Sequence, residues 1–293
     1  MPVITEIGGH DKDLGGGLVI RRLLPALARQ SIGPFVFFDH FGPLQVTPAM
    51  DLDVRPHPHI GRATVTYLYD GAFMHRDSLG YEQCIEPGAI NWMTAGRGIV
   101  HSERRPADLV GRSYLLHGLQ LWAALPLALE DTAPAFSHTP ADDLPQIGGD
   151  GYTGRVLVGS AFGLQSPVQV ASPTLYLDLA LAAGASLNLP PLAGEIAIYP
   201  IDADVSVDGR GVPQRVLAIL DAEQPARIDA TRATRLIVIG GDPLDGPRHL
   251  WWNFVSSRKQ RLLEAADSWA AGRMTSVADD NTFIPLPKHR PPA

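Results

Sequence analysis

The sequence predicts an all-β protein of short strands with one α-helix near the C-terminus. Three observations support this class. Alternating β-branched, aromatic and aliphatic residues recur in short runs, each bounded by turn-forming residues. Glycine and proline, with 29 and 26 residues among 293, are spread along the chain, which is typical of many turns between short strands. Helical periodicity occurs only near the end of the chain.

The first clear strand covers residues 64–69, where β-branched and aromatic residues alternate and the turn dipeptide Asp70-Gly71 follows. Further strands are predicted, in chain order, at residues 156–158, 175–181, 196–199, 216–220 and 236–239. Short strands with regular turns indicate a β-sandwich or jelly roll. After the last strand, one helix is predicted to pack on the β body. Its apolar face comprises Trp251, Phe254, Val255, Leu262, Ala265, Ala266 and Trp269.

Length favours about two domains of roughly 150 residues each. A stretch rich in proline, aspartate and glycine at residues 134–150 divides the strand-rich halves. We therefore expect a first domain over residues 1–137, a linker over 138–149, and a second domain over 150–293 that ends in the helix and tail. A short repeat relates residues 61–67 to 194–199, and the histidines before Gly61 have no counterpart before Gly194. Any metal site is thus expected in the first half only.

Charge and composition exclude several classes of protein. The chain has 24 basic and 31 acidic residues, so its net charge of −7 argues against a nucleic-acid partner. The most apolar stretch, residues 175–201, is interrupted by charged residues, glycine and proline, so no membrane-spanning helix is expected. A single cysteine, Cys84, and the lack of a leader pattern predict a cytoplasmic location.

Two pairs of side chains point to a metal site. His57 and His59 form a His-x-His pair, and His101 and Glu103 form a His-x-Glu pair. Residues two apart on a strand project from one face, about 7 Å apart, so each pair can reach one ion. Three imidazoles and one carboxylate leave two positions on an octahedral ion such as Fe(II) for substrate, O₂ or water.

The alternative for each histidine is an ordinary surface or hydrogen-bonded side chain, but two such pairs in a protein of short strands favour the metal. For His40, His75 and His117 the ordinary interpretation is favoured over a contact with substrate.

Three segments in order, residues 33–43, 56–61 and 92–103, resemble the pirin family of the cupin superfamily. In the second half, residues 240–244 and 252–255 are similar to the family's tail before its helix. The resemblance implies a bicupin, in which two jelly-roll β-barrels or sandwiches are followed by a short C-terminal helix. It implies a metal-binding first cupin and a metal-free second one.

The family's metal ligands fall on His57, His59, His101 and Glu103, the set already reached from spacing. The resemblance implies one divalent ion per chain, usually Fe(II), and the same donors also accept Mn, Ni, Co, Cu or Zn. General cupins carry a glutamate shortly after the His-x-His, where this chain has Ala63, so Glu103 is expected to supply the only carboxylate.

Several bacterial relatives resemble quercetin 2,3-dioxygenases, which implies a metal-dependent dioxygenase acting on O₂ and a small polyphenol, a flavonol such as quercetin. Glu103 is the candidate catalytic residue, because it can accept the proton of the flavonol's 3-hydroxyl. The sequence assigns no substrate-binding residue. The alternative is a non-catalytic metal-binding regulatory protein that contacts transcription factors or metabolic enzymes. A third interpretation is a cupin isomerase or hydrolase that needs no O₂.

Overall fold

The computed structural model describes residues 3–289 and confirms the all-β class. The strands in the first half are β1 (Val3–Ile7), β2 (His10–Asp13), β3 (Val19–Leu24), β4 (Phe35–Val46), β5 (Val54–His59), β6 (Arg62–Asp70), β7 (Phe73–Asp77), β8 (Glu82–Ile85), β9 (Ile90–Thr94), β10 (Ile99–Arg104), β11 (Tyr114–Ala124), β12 (Ala135–Thr139) and β13 (Gln146–Gly149). Those in the second half are β14 (Tyr152–Val158), β15 (Ser160–Ala161), β16 (Leu164–Gln165), β17 (Thr174–Leu181), β18 (Ser186–Leu189), β19 (Glu195–Pro200), β20 (Val205–Val207), β21 (Arg210–Val212), β22 (Leu217–Leu220), β23 (Ala226–Asp229), β24 (Thr234–Gly241), β25 (His249–Trp251) and β26 (Phe254–Ser256). The α-helix is α1 (Lys259–Ala270).

All six predicted strands are confirmed, as β6, β14, β17, β19, β22 and β24. The alternation works as expected in β17, where Leu175, Leu177, Leu179 and Leu181 are all buried. In the antiparallel neighbour β24, Val238 lies opposite Leu177 and Leu236 opposite Leu179. Cross-strand pairs of this kind set the register.

The predicted start of the helix is wrong. Trp251 and Phe254 lie in the hairpin of β25 and β26, and α1 begins only at Lys259. Trp252, between the two strands, has a φ of +52°, which no helix accommodates. The apolar residues still share one cluster, since Leu262, Ala265 and Ala266 pack with Phe254 and Ile60.

By contacts the chain forms two compact units. Unit 1 contains residues 3–11, 21–38 and 139–244, and unit 2 contains residues 12–20, 39–138 and 245–289. The two units do not follow the expected division into an N-terminal and a C-terminal domain. β1, near the start of the chain, pairs with β22 in unit 1, and α1, near its end, packs on β26 and Ile60 in unit 2. The expected linker holds the end of β12 and all of β13. The domain bounds given above stay a prediction.

Unit 1 is built on a seven-stranded sheet of order β1-β22-β19-β24-β17-β14-β13 and a four-stranded sheet of order β18-β23-β20-β21. Both sheets contribute to one apolar core, in which Leu177 and Val238 of the larger sheet join Leu187 and Ile228 of the smaller. Two antiparallel sheets that share a core are the jelly-roll arrangement.

Unit 2 contains the four-stranded sheet β5-β10-β7-β8 and most residues of a seven-stranded sheet of order β12-β9-β6-β11-β4-β3-β2. In the larger sheet, Thr66 lies opposite Gln120 and Thr64 opposite Trp122, so these four side chains share one face.

Among residues 3–289, no helix has the length and apolar character needed to cross a membrane.

Candidate metal centre

The histidines lie on neighbouring strands of the four-stranded sheet in unit 2. In β5 and β10, His57 lies directly opposite His101. Pro56 and Pro58 flank His57, and β5 tolerates them because it is the edge strand of this sheet. The prolines leave the alternation intact, so His57 and His59 project from the same face.

His57, His59 and His101 come together as a group whose ligand atoms all lie within 4.8 Å of one another. The Nε2 atoms of His59 and His101 are 2.8 Å apart, and the three ring centroids are separated by 4.4 to 4.8 Å. All three side chains are buried. Such a cluster of imidazoles in a small space is the donor set of a divalent transition metal.

The Nδ1 atoms of the three rings have partners of their own. Nδ1 of His57 lies 2.8 Å from the carbonyl oxygen of Arg55, and Nδ1 of His59 lies 3.3 Å from that of Asn253. Nδ1 of His101 lies 3.3 Å from Nδ1 of His75. A carbonyl only accepts, so His57 donates from Nδ1 and keeps the Nε2 lone pair, and His59 does the same when the Asn253 carbonyl is its partner. These residues fit a metal ion bound through Nε2.

Burial keeps the imidazoles neutral. It lowers the pKa of His57 to about 4, against the raising effect of the Arg55 carbonyl, and the charge of Arg62 lowers it further. The pKa values of His59 and His101 are also lowered, first by burial and then by nearby charges. Neutral imidazole is the form that binds a metal, so His57, His59 and His101 could hold an ion at neutral pH without first releasing a proton.

Arg62 borders the candidate centre, and it was not singled out from the sequence. Its side chain is fully buried, and its guanidinium carbon lies 3.1 Å from the centroid of the Trp122 ring. Nη2 contacts Nδ1 of His59, while Nε and Nη1 have no hydrogen-bond partner among residues 3–289. Burial lowers the pKa of Arg62. The site therefore has a strongly desolvated cation at its edge.

Arg62 and the carbonyl of Asn253 compete for the same nitrogen of His59. The guanidinium only donates and so needs a lone pair on Nδ1, whereas the carbonyl needs an N–H there. In a neutral ring the first arrangement places the proton on Nε2 and blocks metal binding. The second leaves Nε2 free.

Glu103 lies on β10 with the register shifted between it and His101, so that it faces Val54 of β5. The group of mutually close ligand atoms does not include it. Its Oε1 lies 3.3 Å from the hydroxyl of Thr66, and burial raises the pKa of its carboxyl. The expectation that Glu103 is a ligand stays a prediction.

Of the other histidines, His75 lies opposite Glu103 on β7 and within hydrogen-bond reach of both His101 and Asp77. A sequence signal existed, because His75 and Asp77 repeat the His-x-acid spacing of His101 and Glu103. His40 and His117 are buried and lie with their Nε2 atoms 2.8 Å apart. No similar signal pointed to Arg62 or to the Asn253 carbonyl.

Comparisons with known proteins agree with this architecture. The sequence pattern of the Pirin family matches residues 17–123, and that of the Pirin C-terminal cupin domain matches residues 176–275. A pirin-like protein of Caulobacter vibrioides is 42% identical, with 94% of this chain and 96% of that protein covered. A protein of Pseudomonas aeruginosa, provisionally named a quercetin 2,3-dioxygenase, is 38% identical, with 92% and 84% covered.

The crystal structure of quercetin 2,3-dioxygenase from Acinetobacter baumannii matches with a TM-score of 0.91 and 34% identity, covering 99% of this chain and 97% of that one. The family patterns together match more than half of this chain, and the fold agrees over nearly all of it. The chain belongs to the pirin family.

Proposed function

We propose that this protein is a metal-dependent dioxygenase of the pirin type that cleaves flavonols such as quercetin with O₂. The observation that carries the proposal is the buried, neutral group of His57, His59 and His101. The names of similar proteins from Pseudomonas aeruginosa and Acinetobacter baumannii support the reaction class.

In this proposal the three Nε2 atoms hold one divalent ion, with Fe(II) first and Mn, Ni, Co, Cu or Zn as alternatives. Glu103 is the fourth ligand. It lies on the same strand as His101, two residues further on. A bound divalent ion would acidify the flavonol's 3-hydroxyl and assist electron transfer to O₂.

Glu103 is also the proposed proton acceptor. Burial raises the pKa of its carboxyl in the metal-free protein, so once released from the ion this carboxylate would be a stronger base than an exposed glutamate. The hydroxyl of Thr66 lies 3.3 Å from Oε1 of Glu103 and 2.9 Å from Oε1 of Gln120, so it can donate to one of them at a time. That hydroxyl could hold the ionised carboxylate and turn to Gln120 once the carboxyl has taken up a proton.

The test is oxygen uptake and carbon monoxide release by Fe(II)-loaded protein given quercetin, with metal content measured in parallel. His101→Ala should lose both metal and turnover, because a donor atom is removed. Glu103→Gln should retain part of the metal and lose at least about 100-fold in turnover, the scale of a general base. The control is His10→Ala, at an exposed histidine on β2, which should have the metal content and turnover of wild type.

Full turnover by Glu103→Gln would remove Glu103 from the mechanism. Fully metal-loaded protein that neither consumes O₂ nor releases carbon monoxide would contradict the dioxygenase and favour the regulatory alternative.

A further inference from the structure

A second layer of side chains stands behind His101. Nδ1 of His101 lies 3.3 Å from Nδ1 of His75, and Nε2 of His75 lies 2.9 Å from Oδ2 of Asp77. All three residues are buried. The ring of His75 stacks on Phe136 at a centroid distance of 4.2 Å and an angle of 12°, which fixes its plane. The result is a continuous row from a carboxylate to the candidate metal centre.

The direction of each hydrogen bond follows from the carboxylate. Oδ1 of Asp77 accepts from the backbone N–H groups of Leu79 and Tyr81, at 2.9 and 3.2 Å, so Oδ2 is the oxygen left for His75. An ionised carboxylate only accepts, and therefore Nε2 of His75 carries the hydrogen. In a neutral imidazole the other nitrogen, Nδ1, then has a lone pair.

That lone pair determines the tautomer of His101. Nδ1 of His75 can only accept, so Nδ1 of His101 donates to it and Nε2 of His101 keeps its lone pair. Nε2 is the atom that lies 2.8 Å from Nε2 of His59. His57 obtains the same tautomer from the carbonyl of Arg55, and His59 does so when the carbonyl of Asn253, and not Arg62, is the partner of its Nδ1. For His101, the side chain of His75 takes the place of the carbonyl.

We propose that His75 and Asp77 are positioning residues that hold His101 in the tautomer whose Nε2 binds the metal. The proposal rests on the metal site proposed above. It assigns neither residue a contact with substrate. Partners behind metal-bound histidines typically change metal affinity by about 10- to 100-fold, and this row is expected to act on that scale.

The test reverses the direction of the hydrogen bond between Asp77 and His75. In Asp77→Asn, the amide oxygen can still accept from Leu79 and Tyr81, and the amide NH₂ then points at His75. Nε2 of His75 must accept, its Nδ1 carries the hydrogen, and His101 is driven to the tautomer with the hydrogen on Nε2. Co(II) affinity, measured by competition with a chelator, should fall at least about tenfold.

A second variant separates tautomer control from a general structural defect. His75→Asn places an amide oxygen where Nδ1 of His75 lies, so His101 can still donate from Nδ1 without help from Asp77. His75→Asn should bind Co(II) within about threefold of wild type, and adding Asp77→Asn to it should have no further effect. If Asp77→Asn weakens Co(II) binding equally in both backgrounds, Asp77 acts through the turn it caps and the proposal is wrong.

A measurement on metal-free protein makes the proposal independent of metal loading and turnover. Long-range ¹H–¹⁵N correlation spectra of histidine side chains report which ring nitrogen carries the hydrogen. Wild type should show His101 with hydrogen on Nδ1, and Asp77→Asn should show it on Nε2. Hydrogen on Nε2 of His101 in wild type would overturn the proposal. If wild type fails to bind Co(II) but shows the expected tautomer, the metal site is refuted, while the control of the His101 tautomer by His75 and Asp77 still holds.

Discussion

At the scale of single residues, burial determines how the candidate metal centre behaves before any ion binds. Three imidazoles are enclosed with Arg62, and each is costly to protonate in that environment. The unfolded chain has no such restriction, and its histidines titrate near a pKa of about 6.5. The difference between the two states makes stability depend on pH.

We predict that metal-free protein loses stability as the pH falls from about 6.5 to about 4. His57 has its pKa lowered to about 4 in the folded state, so in this window the unfolded state binds a proton that the folded state does not. The loss from His57 reaches about 3 kcal/mol at the acidic end, and His59 and His101 act in the same direction. Urea unfolding at pH 7.5 and 5, followed by tryptophan fluorescence, measures it.

His57→Asn is the matched variant for that experiment. It removes one of the groups that titrate differently in the two states, so the fall in stability between pH 7.5 and 5 should be smaller than in wild type. Equal pH dependence in the two proteins would contradict a lowered pKa at His57.

Arg62 yields a second prediction at this scale. Arg62→Met removes a buried cation and the competitor for Nδ1 of His59, while keeping an apolar side chain against Trp122. Metal affinity should rise about tenfold, or about 1.4 kcal/mol. Chelator competition with Co(II) tests this, with Arg112→Met at an exposed arginine as the control. Unchanged or weaker binding would show that the Arg62 charge does not oppose the ion.

The spacing of two His-containing pairs predicted that His57, His59 and His101 lie close together, because strand geometry places residues two apart on one face. The Asn253 carbonyl lies 194 residues from His59, and nothing local in the sequence indicates that approach. The residue of β5 that lies opposite Glu103 is set by a register shift between β5 and β10, and a hydrophobic pattern does not encode such a shift.

At the scale of elements, the corner between β5 and β6 links the His-x-His strand to β26. Gly61 has a φ of +69°, and a Cβ there would collide with the carbonyl oxygen of Val255. Its N–H donates to the carbonyl of Gly96 at 2.8 Å. Only glycine fits this corner, since both the backbone conformation and the space forbid a side chain.

Gly61→Ala should therefore destabilise unit 2 by at least about 2 kcal/mol, through strain and displacement of β26. Gly111→Ala is the control, since Gly111 has a similar φ of +76° and a Cβ added there would meet no atom within 4 Å. That variant should lose only about 1 kcal/mol. Trp92, Trp122, Trp251, Trp252 and Trp269 all lie in unit 2, so tryptophan fluorescence during urea unfolding reports on this unit. Equal losses in the two variants would contradict the close packing at Gly61.

The strands were predictable where one face alternates clearly, as in β17, and the helix boundary was not. Trp251 and Phe254 fit a helical spacing, yet they form a hairpin whose turn has a positive φ at Trp252. In the hairpin Phe254 is buried and Trp251 half-buried, as an amphipathic helix would also require, so periodicity alone cannot separate the two arrangements.

At the scale of the whole molecule, sequence order and spatial grouping differ. Residues 138–149 are rich in proline, aspartate and glycine, and on this basis the sequence predicts a division into two domains at that point. Contacts instead place β1 and residues 21–38 with residues 139–244. Long-range strand pairing of this kind does not change local composition. Two domains could therefore be predicted, but not that each would contain segments from both halves of the sequence.

We predict that residues 150–293 expressed alone do not fold. Such a fragment lacks β1, so β22 becomes an unpaired edge with buried residues Leu217 and Leu220. It should be insoluble or aggregated, as judged by size-exclusion chromatography and circular dichroism beside the full chain. A monodisperse fragment with the strand content of unit 1 would show that β1 is dispensable.

The pairing of β1 with β22 also has a consequence during synthesis. β1 leaves the ribosome before its partner at Leu217–Leu220, which follows more than 200 residues later. At roughly 5–20 residues per second, the first strand waits at least about ten seconds without its neighbour. The charged and polar residues of β2, which follow β1 directly, favour solubility of the nascent chain around β1 over that interval. Unit 1 cannot be completed until residues 139–244 have been made, and unit 2 cannot be completed until residues 245–289 have been made.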